Sequence, residues 1–395
     1  MGDSRKKILF INSFFGVGGI QTSLINMANE LCDEYRIDFF VYYPEGPMKN
    51  RLDSRVNIIQ PCRAFKALGM SVGEALKSKD LFIILFKILG SVWTRVFDNR
   101  LPIWIATKLQ PKLTGYDLAI AFRPETRKKL LCSGFVRTLS RCTQAKSKIA
   151  WIHYDAKTLD NDSRFNAKYY KSVDKIVGVS ASVAERFAAV HPELNGKTDY
   201  CYNFFEYEKI FEKSNMKQEI EFPEDKTICF SACRFSVGKG IVRGIKAFAP
   251  VFREHEDILW YIAGDGPERE NIEQAIKEEK LEGRIILLGN QSNPYNYMKN
   301  SDLLVIISYH EAAPMVYKEA KALHVPVFTT ETSSSYEMLK DGTEDFICEN
   351  SEEGIRNKFS EIMNDREKIS NAKKALEGYC GNNDEAFDKF NEWVN

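Results

Sequence analysis

The feature that most constrains this chain is a pattern it uses twice. Lys7-Ile-Leu-Phe-Ile-Asn12 is a short apolar run of the kind a buried parallel strand shows, and it ends in the glycine-rich stretch Phe14-Phe-Gly-Val-Gly-Gly19. Ile20, Leu24, Met27, Ala28 and Leu31 then recur at helical spacing, with Gln21, Ser23, Asn26, Asn29 and Glu30 on the other face. The apolar run Ile37 to Tyr43 completes a strand, helix, strand unit. The same grammar opens the second half. Strand Thr227 to Ala232 leads into the loop Ser236-Val-Gly-Lys-Gly240 and a helix with Ile241, Ile245, Phe248, Ala249 and Phe252 on one face. Such units build parallel sheets covered by helices, so the expected class is α/β with two Rossmann-like bodies.

The remaining pattern fits that frame. In the first half a long helical candidate runs around residues 71 to 109, and strands are expected around 117 to 122, 148 to 152 and 175 to 179. In the second half strands are expected at 258 to 263, 284 to 288, 302 to 307 and 325 to 329, and residues 351 to 395 read as almost wholly helical. Tyr200 to Lys213, with the polar run Ser214 to Glu219 and Pro223-Glu-Asp225, reads as a connection between bodies. The expected division is 1–205, a linker 206–225, 226–380, and a helix 381–395 that packs back on the first domain.

Composition excludes several classes. The 55 Lys plus Arg cancel 55 Asp plus Glu, so no global field draws the protein to nucleic acid. Nine cysteines are odd in number and lack the Cys-x-x-Cys spacing of zinc sites and redox pairs, so they read as reduced thiols of the cytoplasm. No secretion signal is visible at the start. The most apolar region, Leu81 to Trp93, is interrupted by Lys87 and falls short of the ~20 apolar residues that cross a bilayer. The wider stretch 77–95 mixes such residues with Lys77, Lys79, Lys87 and Arg95. It reads either as a buried helix or as a peripheral contact with the inner face of the cell membrane.

Chemistry concentrates at expected strand ends. His310-Glu311-Ala-Ala-Pro-Met-Val-Tyr-Lys-Glu319 lies between the strands at 302–307 and 325–329. Pro314 suits a first helical turn, whose free N–H groups, at roughly 313 to 316, point out of the carboxyl edge of the sheet. A diphosphate fits there, with Glu311 and Glu319 as hydroxyl acceptors. Glu311 capping the turn and Glu319 simply solvated is the competing reading. Arg234 and Lys239 can bracket a diphosphate and stabilise a departing nucleotide without a metal, or be ordinary surface charge. Gly264-Asp-Gly-Pro267 is a turn on the same sheet edge. The first glycine loop is an incomplete dinucleotide fingerprint with no clear ribose-binding acid after it, which argues against NAD. Asp160-Asn-Asp162 has the spacing of a metal-binding Asp-x-Asp, but no apolar strand delivers it to a sheet edge.

In order and spacing these motifs resemble the retaining glycosyltransferases of family 4, bacterial surface-polysaccharide type. The resemblance rests on Glu311 and Glu319 with Pro314 between, Arg234 with Lys239-Gly240, the Gly264 turn and Val325-Pro-Val327. It implies GT-B architecture: two facing Rossmann-like domains with a cleft between them, the first acceptor-binding, the second nucleotide-sugar-binding. It also implies a nucleotide-sugar donor, commonly a UDP-sugar, with no metal or other cofactor. Glu311 and the residues after it, Ala312, Ala313, Pro314, Met315 and Val316, would meet the donor sugar and phosphates, and Glu319 the ribose. Arg234 and Lys239 would hold the diphosphate, and Gly18 and Gly19 would approach the β-phosphate, with Gly264 in the turn nearby. His153 would sit near the reacting carbon, with Asp155 and Asn203 on the acceptor side.

This sequence departs from the family in having Ala312 and Ala313 where glycine is usual after the first Glu, and Ser333-Ser-Ser335 in a turn that commonly holds glycine. The implied reaction moves a hexose or N-acetylhexosamine to a glycan, lipid-linked by analogy, in capsule, exopolysaccharide or O-antigen synthesis. Rival readings are a GT-B-shaped UDP-sugar epimerase and an inactive glycosyltransferase-like partner subunit.

Overall fold

A computed structural model describes residues 5–125, 128–159, 163–340 and 343–394. The chain divides into two compact units, one of residues 1–205 with 383–395, the other of residues 206–382. In the first unit, strands β1 (Lys7–Phe14), β2 (Arg36–Tyr43), β3 (Asn57–Ile59), β4 (Leu113–Ala121), β5 (Thr143–Ile152), β6 (Lys175–Gly178) and β7 (Thr198–Tyr200) form one sheet in the order β3-β2-β1-β4-β5-β6-β7. In the second, β8 (Thr227–Ala232), β9 (Ile258–Ala263), β10 (Ile285–Gly289), β11 (Leu303–Ile306), β12 (Val327–Thr330) and β13 (Ile347–Cys348) run β10-β9-β8-β11-β12-β13. Every pairing is parallel.

Both sheets reverse their winding beside their first strand, between β1 and β4 and between β8 and β11. Parallel strands need crossovers, and helices supply them on both faces, so the strands are apolar almost throughout rather than alternating. Ile8 to Ile11 of β1 are wholly buried, as are Trp260 and Ile262 of β9. Aromatic side chains fill both cores. Phe10 meets Phe39 at 5.5 Å between ring centres, Phe122 meets Trp151 at 5.3 Å, and Phe248 stacks on Phe359 at 3.9 Å. The carboxyl edge at a reversal of winding is where doubly wound sheets take ligands.

Several expectations need correction. The helical stretch around 71–109 is three helices, Val72–Lys77, Leu81–Val96 and Arg100–Leu109. Lys79 takes a left-handed φ of 55°, Asp80 caps the second helix by accepting from Phe82 and Ile83 N–H, and Pro102 sits in the first turn of the third. Leu81–Val96 is not a buried helix, because its large apolar side chains face outward. The supposed linker holds the helix Tyr207–Ser214, which packs on Tyr295–Lys299 in the second unit. In the helix Gly19–Leu31, Gln21, Ser23 and Asn26 are buried rather than solvent-facing. Ser23 Oγ donates to Asn203 Oδ1 at 2.7 Å and Asn26 Nδ2 to the Phe204 carbonyl at 3.0 Å, so segment 203–204 covers that polar face. The helix Asp384–Val394 lies in the first unit, where Trp393 packs edge-on against Trp151 at 5.8 Å and Tyr35 Oη donates to Asn391 Oδ1 at 2.6 Å.

Candidate active site

At the winding reversal of the second sheet, the loops after β8, β9 and β11 are fastened to one another. Phe235, wholly buried, donates its N–H to the Asp265 carbonyl at 2.9 Å, and Cys233 N–H reaches the Ala263 carbonyl at 3.0 Å. Gly264 has φ 144°, and a Cβ there would lie 1.8 Å from the Cys233 carbonyl oxygen. Only glycine lets the two loops approach this closely. Gly240 heads the helix Ile241–Glu254 at φ 68°, beside the Ile307 carbonyl. Tyr309 N–H donates to the Gly238 carbonyl at 2.9 Å, which draws the loop after β8 against the loop after β11.

This packing brings Lys239 and Glu311 together. Lys239 Nζ lies 2.6 Å from Glu311 Oε1, and Ser308 Oγ donates to the same oxygen at 2.6 Å. Burial works against the Lys239 charge, but the Glu311 carboxylate overrides it and leaves the ammonium pKa above its ordinary value. Ser333 Oγ donates to the Glu311 backbone carbonyl at 2.6 Å, Thr330 Oγ1 to the Ser308 carbonyl at 2.6 Å, and Asn350 Nδ2 to the Tyr309 and Glu331 carbonyls. Arg243 lies 3.8 Å over the Tyr309 ring and donates to the Ile307 carbonyl at 2.8 Å. Side chains from the ends of β11, β12 and β13 thus hold the loop that carries Glu311.

Pro314 precedes the helix Met315–Ala322 rather than sitting in its first turn, with φ −66° and ψ 127° at the cap. Its carbonyl accepts Tyr317 N–H at 3.2 Å, and the N–H groups of Met315 and Val316 have no carbonyl a turn earlier to bond. Ala312, Ala313 and Val316 are half-buried. Glu319 is buried on this helix, and Tyr295 Oη donates to its Oε1 at 3.1 Å. Arg234 is exposed, with no hydrogen bond or ion pair to any described residue. A cavity of about 500 Å³ lies between the helices Ile241–Glu254 and Arg269–Glu278, lined by Arg243, Lys246 and Asn271 but by neither Glu311 nor Glu319.

The candidates of the first unit sit at its own sheet edge. Gly18 caps the helix Gly19–Leu31 and Gly19 is exposed at its first position. His153 follows β5 and packs on the Phe122 ring at 4.7 Å, with Nε2 enclosed and unpartnered among the described residues. Burial, then the charge of Arg123, push its pKa down to about 3, against a hydrogen bond to the Phe122 backbone. Burial and the neighbouring Arg123 charge thus favour the neutral ring. Arg123 reaches Ser13 Oγ across the β1 and β4 ends. Asp155 is held by Lys157 N–H at 3.0 Å and Arg186 Nη1 at 3.1 Å, and Asn203 by Ser23, so both acceptor-side candidates are engaged in local structure. Asp160 and Asp162 lie outside the described residues. Among the described residues no cluster of three or more His, Cys, Asp or Glu is placed to hold a metal ion.

Sequence reasoning missed Ser308, Tyr295, Asn350 and Arg123. Arg123 had a legible signal, a cation directly after an apolar strand. Tyr295 and Asn350 had none, because they act through partners distant in sequence, and Ser308 had none because a serine three residues before Glu311 does not show that its hydroxyl turns to that carboxylate.

Residues 212–377 match the family described as glycosyl transferases group 1. The N-acetyl-alpha-D-glucosaminyl L-malate synthase of Bacillus anthracis is 29% identical over 215 residues, 53% of this chain and 55% of that protein. The N-acetylgalactosamine-N,N'-diacetylbacillosaminyl-diphospho-undecaprenol 4-alpha-N-acetylgalactosaminyltransferase of Campylobacter jejuni is 28% identical over 194 residues, 49% of this chain and 50% of that protein. The chain thus spans about half the length of these curated relatives. Anabaena Alr3699/HepE, solved in complex with UDP, superposes with a TM-score of 0.66 at 18% identity over 94% of this chain and 93% of its own. The fold is GT-B, and residues 212–377 match the group 1 glycosyl transferase model.

Proposed function

We propose that the chain is a retaining, metal-independent glycosyltransferase that moves a hexose or N-acetylhexosamine from a nucleotide-sugar, a UDP-sugar first, to a glycan acceptor carried on lipid. Its setting is the cytoplasm, in capsule, exopolysaccharide or O-antigen synthesis. The observation that carries the reading is the Lys239–Glu311 pair, 2.6 Å apart where the winding of the second sheet reverses. The names of the two curated relatives, one a synthase of an N-acetylglucosaminyl malate and one an N-acetylgalactosaminyltransferase acting on a diphospho-undecaprenol, support it.

In this reading the donor diphosphate lies against Lys239, Arg234 and the N–H groups of Met315 and Val316, with Gly264 keeping backbone close by. Glu319, oriented by Tyr295, accepts from the ribose hydroxyls. Glu311, fixed by Ser308 and Ser333, accepts from a sugar hydroxyl. The acceptor oxygen bonds to the anomeric carbon on the face the nucleoside diphosphate leaves. The acceptor proton passes to the departing phosphate oxygen, and Lys239 and Arg234 stabilise its charge. Ala312 and Ala313 narrow the sugar site relative to glycine.

Thermal unfolding in EDTA with a panel of UDP-, GDP-, ADP- and TDP-sugars tests the donor. A ligand at a hundredfold its dissociation constant adds about 2.7 kcal/mol of stability. One sugar nucleotide is expected to raise the midpoint of the wild type and not of Glu319→Ala. Product analysis on a lipid-linked glycan acceptor then separates transfer from epimerisation, and Lys239→Met is expected to lower kcat by about 10²–10³. No stabilisation by any donor would leave the inactive-partner reading, and transfer unchanged in both variants would overturn the site.

A further inference from the structure

The helix Leu81–Val96 is built inside out. The side it turns to the first unit carries Ile83, Lys87, Gly90 and Thr94, all buried, at the spacing of one helical face. That face rests on Ala67 and Ala75, and Gly90 lies against Leu131 and Pro102. The side it turns to solvent carries Leu81, Leu85, Ile88, Leu89, Val92 and Val96, and Leu81, Leu89 and Val96 keep 69, 65 and 62% of their surface exposed. Lys87, the charged side chain one would expect outside, is 8% exposed, and burial lowers its pKa. A water-facing helix gains nothing from this arrangement, because hydrophobic burial favours the opposite one. The neighbouring helix extends the patch with exposed Leu101, Trp104 and Leu109. An apolar surface of this extent on a folded domain marks an interaction site.

Charge decides what covers it. Besides the buried Lys87, the chain from Arg63 to Leu109 has seven Lys or Arg against Glu74, Asp80 and Asp98, in a protein whose total charge is zero. All three acids are committed. Glu74 closes a capping box with Ser71, Asp80 caps the inverted helix and meets Arg63 at 3.2 Å, and Asp98 meets Arg100 at 2.6 Å. The rim is basic. A second copy would set this rim against itself, since a two-fold contact pairs the same patch on both partners. Anionic lipid complements both the rim and the apolar face, and Trp93, Phe97 and Trp104 are of the type that anchors at a membrane interface. No helix among the described residues is long and apolar enough to cross a bilayer.

We infer that the outer faces of Leu81–Val96 and Arg100–Leu109 lie on the surface of an anionic membrane. The surface extends the proposed function by placing the chain where a lipid-carried acceptor is found, yet its test does not depend on sugar transfer. The whole chain is floated with vesicles of phosphatidylcholine alone and of equal parts phosphatidylcholine and phosphatidylglycerol, at low and high salt, alongside light scattering without vesicles. The wild type should float with the anionic vesicles, less at high salt. Leu89→Glu with Val92→Glu should lower binding at least about tenfold with an unchanged melting midpoint, since both side chains face solvent. Arg95→Glu should weaken binding to anionic vesicles. Trp104→Ser gives a second probe of the patch if the double variant folds poorly. Wild-type protein left in the bottom fraction with both vesicles would overturn the inference. A dimer that Leu89→Glu with Val92→Glu makes monomeric would overturn it in favour of a second copy.

Discussion

The most informative single residue is His153. In the sequence it stands in Trp151-Ile-His-Tyr-Asp155 after an apolar strand, which marks a strand end but says nothing of its charge. Its protonation state comes from neighbours set far off in sequence, the Phe122 ring and Arg123 at the end of β4. The pKa of about 3 has a measurable consequence. The unfolded chain takes up this proton near pH 6.5 and the folded chain only near 3, so stability falls as pH drops through that window, by at most about 1.4 kcal/mol per unit. Carboxylates titrate in that window too, and a variant isolates the His153 share. His153→Gln should lose less of its melting midpoint between pH 7.5 and pH 5 than the wild type. Equal losses would mean the ring titrates normally in the folded protein. Glu311 and Lys239 were legible as residues of a site, but their mutual pairing was not, because a loop's spacing does not reveal which loop it is folded against.

At the scale of elements, legibility followed burial. β8 and β9 stand where their apolar runs place them, Thr227–Ala232 and Ile258–Ala263, because a strand covered on both faces must be apolar from end to end. The short edge strands β3 and β7 left no such run, being three residues each and partly exposed. Leu81–Val96 misleads any reading by hydrophobicity, since its apolar residues point away from the core. Turns were legible as turns and not as contacts. Gly264-Asp-Gly-Pro267 announces a bend, whereas the reason for its first glycine is the Cys233 carbonyl on a different loop. Gly264→Ala should therefore cost more than the roughly 1 kcal/mol typical of point substitutions, about 2–4 kcal/mol, because backbone must move and the φ is unfavourable for alanine. Chemical denaturation measures it. A cost near zero would mean that the loops after β8 and β9 can part freely, and that the geometry around Lys239 is not fixed by this approach.

At the scale of the whole molecule, the repeated grammar predicted two parallel-sheet bodies, and both sheets reverse beside their first strand. The chain leaves the first unit at Phe205, builds the second, and returns at Asn383, the path on which the sequence reading set the last helix, 381–395, back on the first domain. The returning helix Asp384–Val394 has an ordinary amphipathic sequence, and its destination depends on which cavity its apolar face completes. Phe390 is wholly buried against Tyr35, Trp393 packs on Trp151, and Trp393 Nε1 donates to Asp199 Oδ2 at 3.1 Å. These partners all belong to the first unit, so stability of that unit should depend on residues nearly two hundred positions from the rest of it. Phe390→Ala removes a buried ring and should destabilise the first unit by about 3–5 kcal/mol. Hydrogen exchange is then expected to quicken in β4 and β5 while β8 and β11 keep their protection. If protection falls alike in both sheets, the two units unfold as one, and the helix supports a single cooperative body rather than the first unit alone.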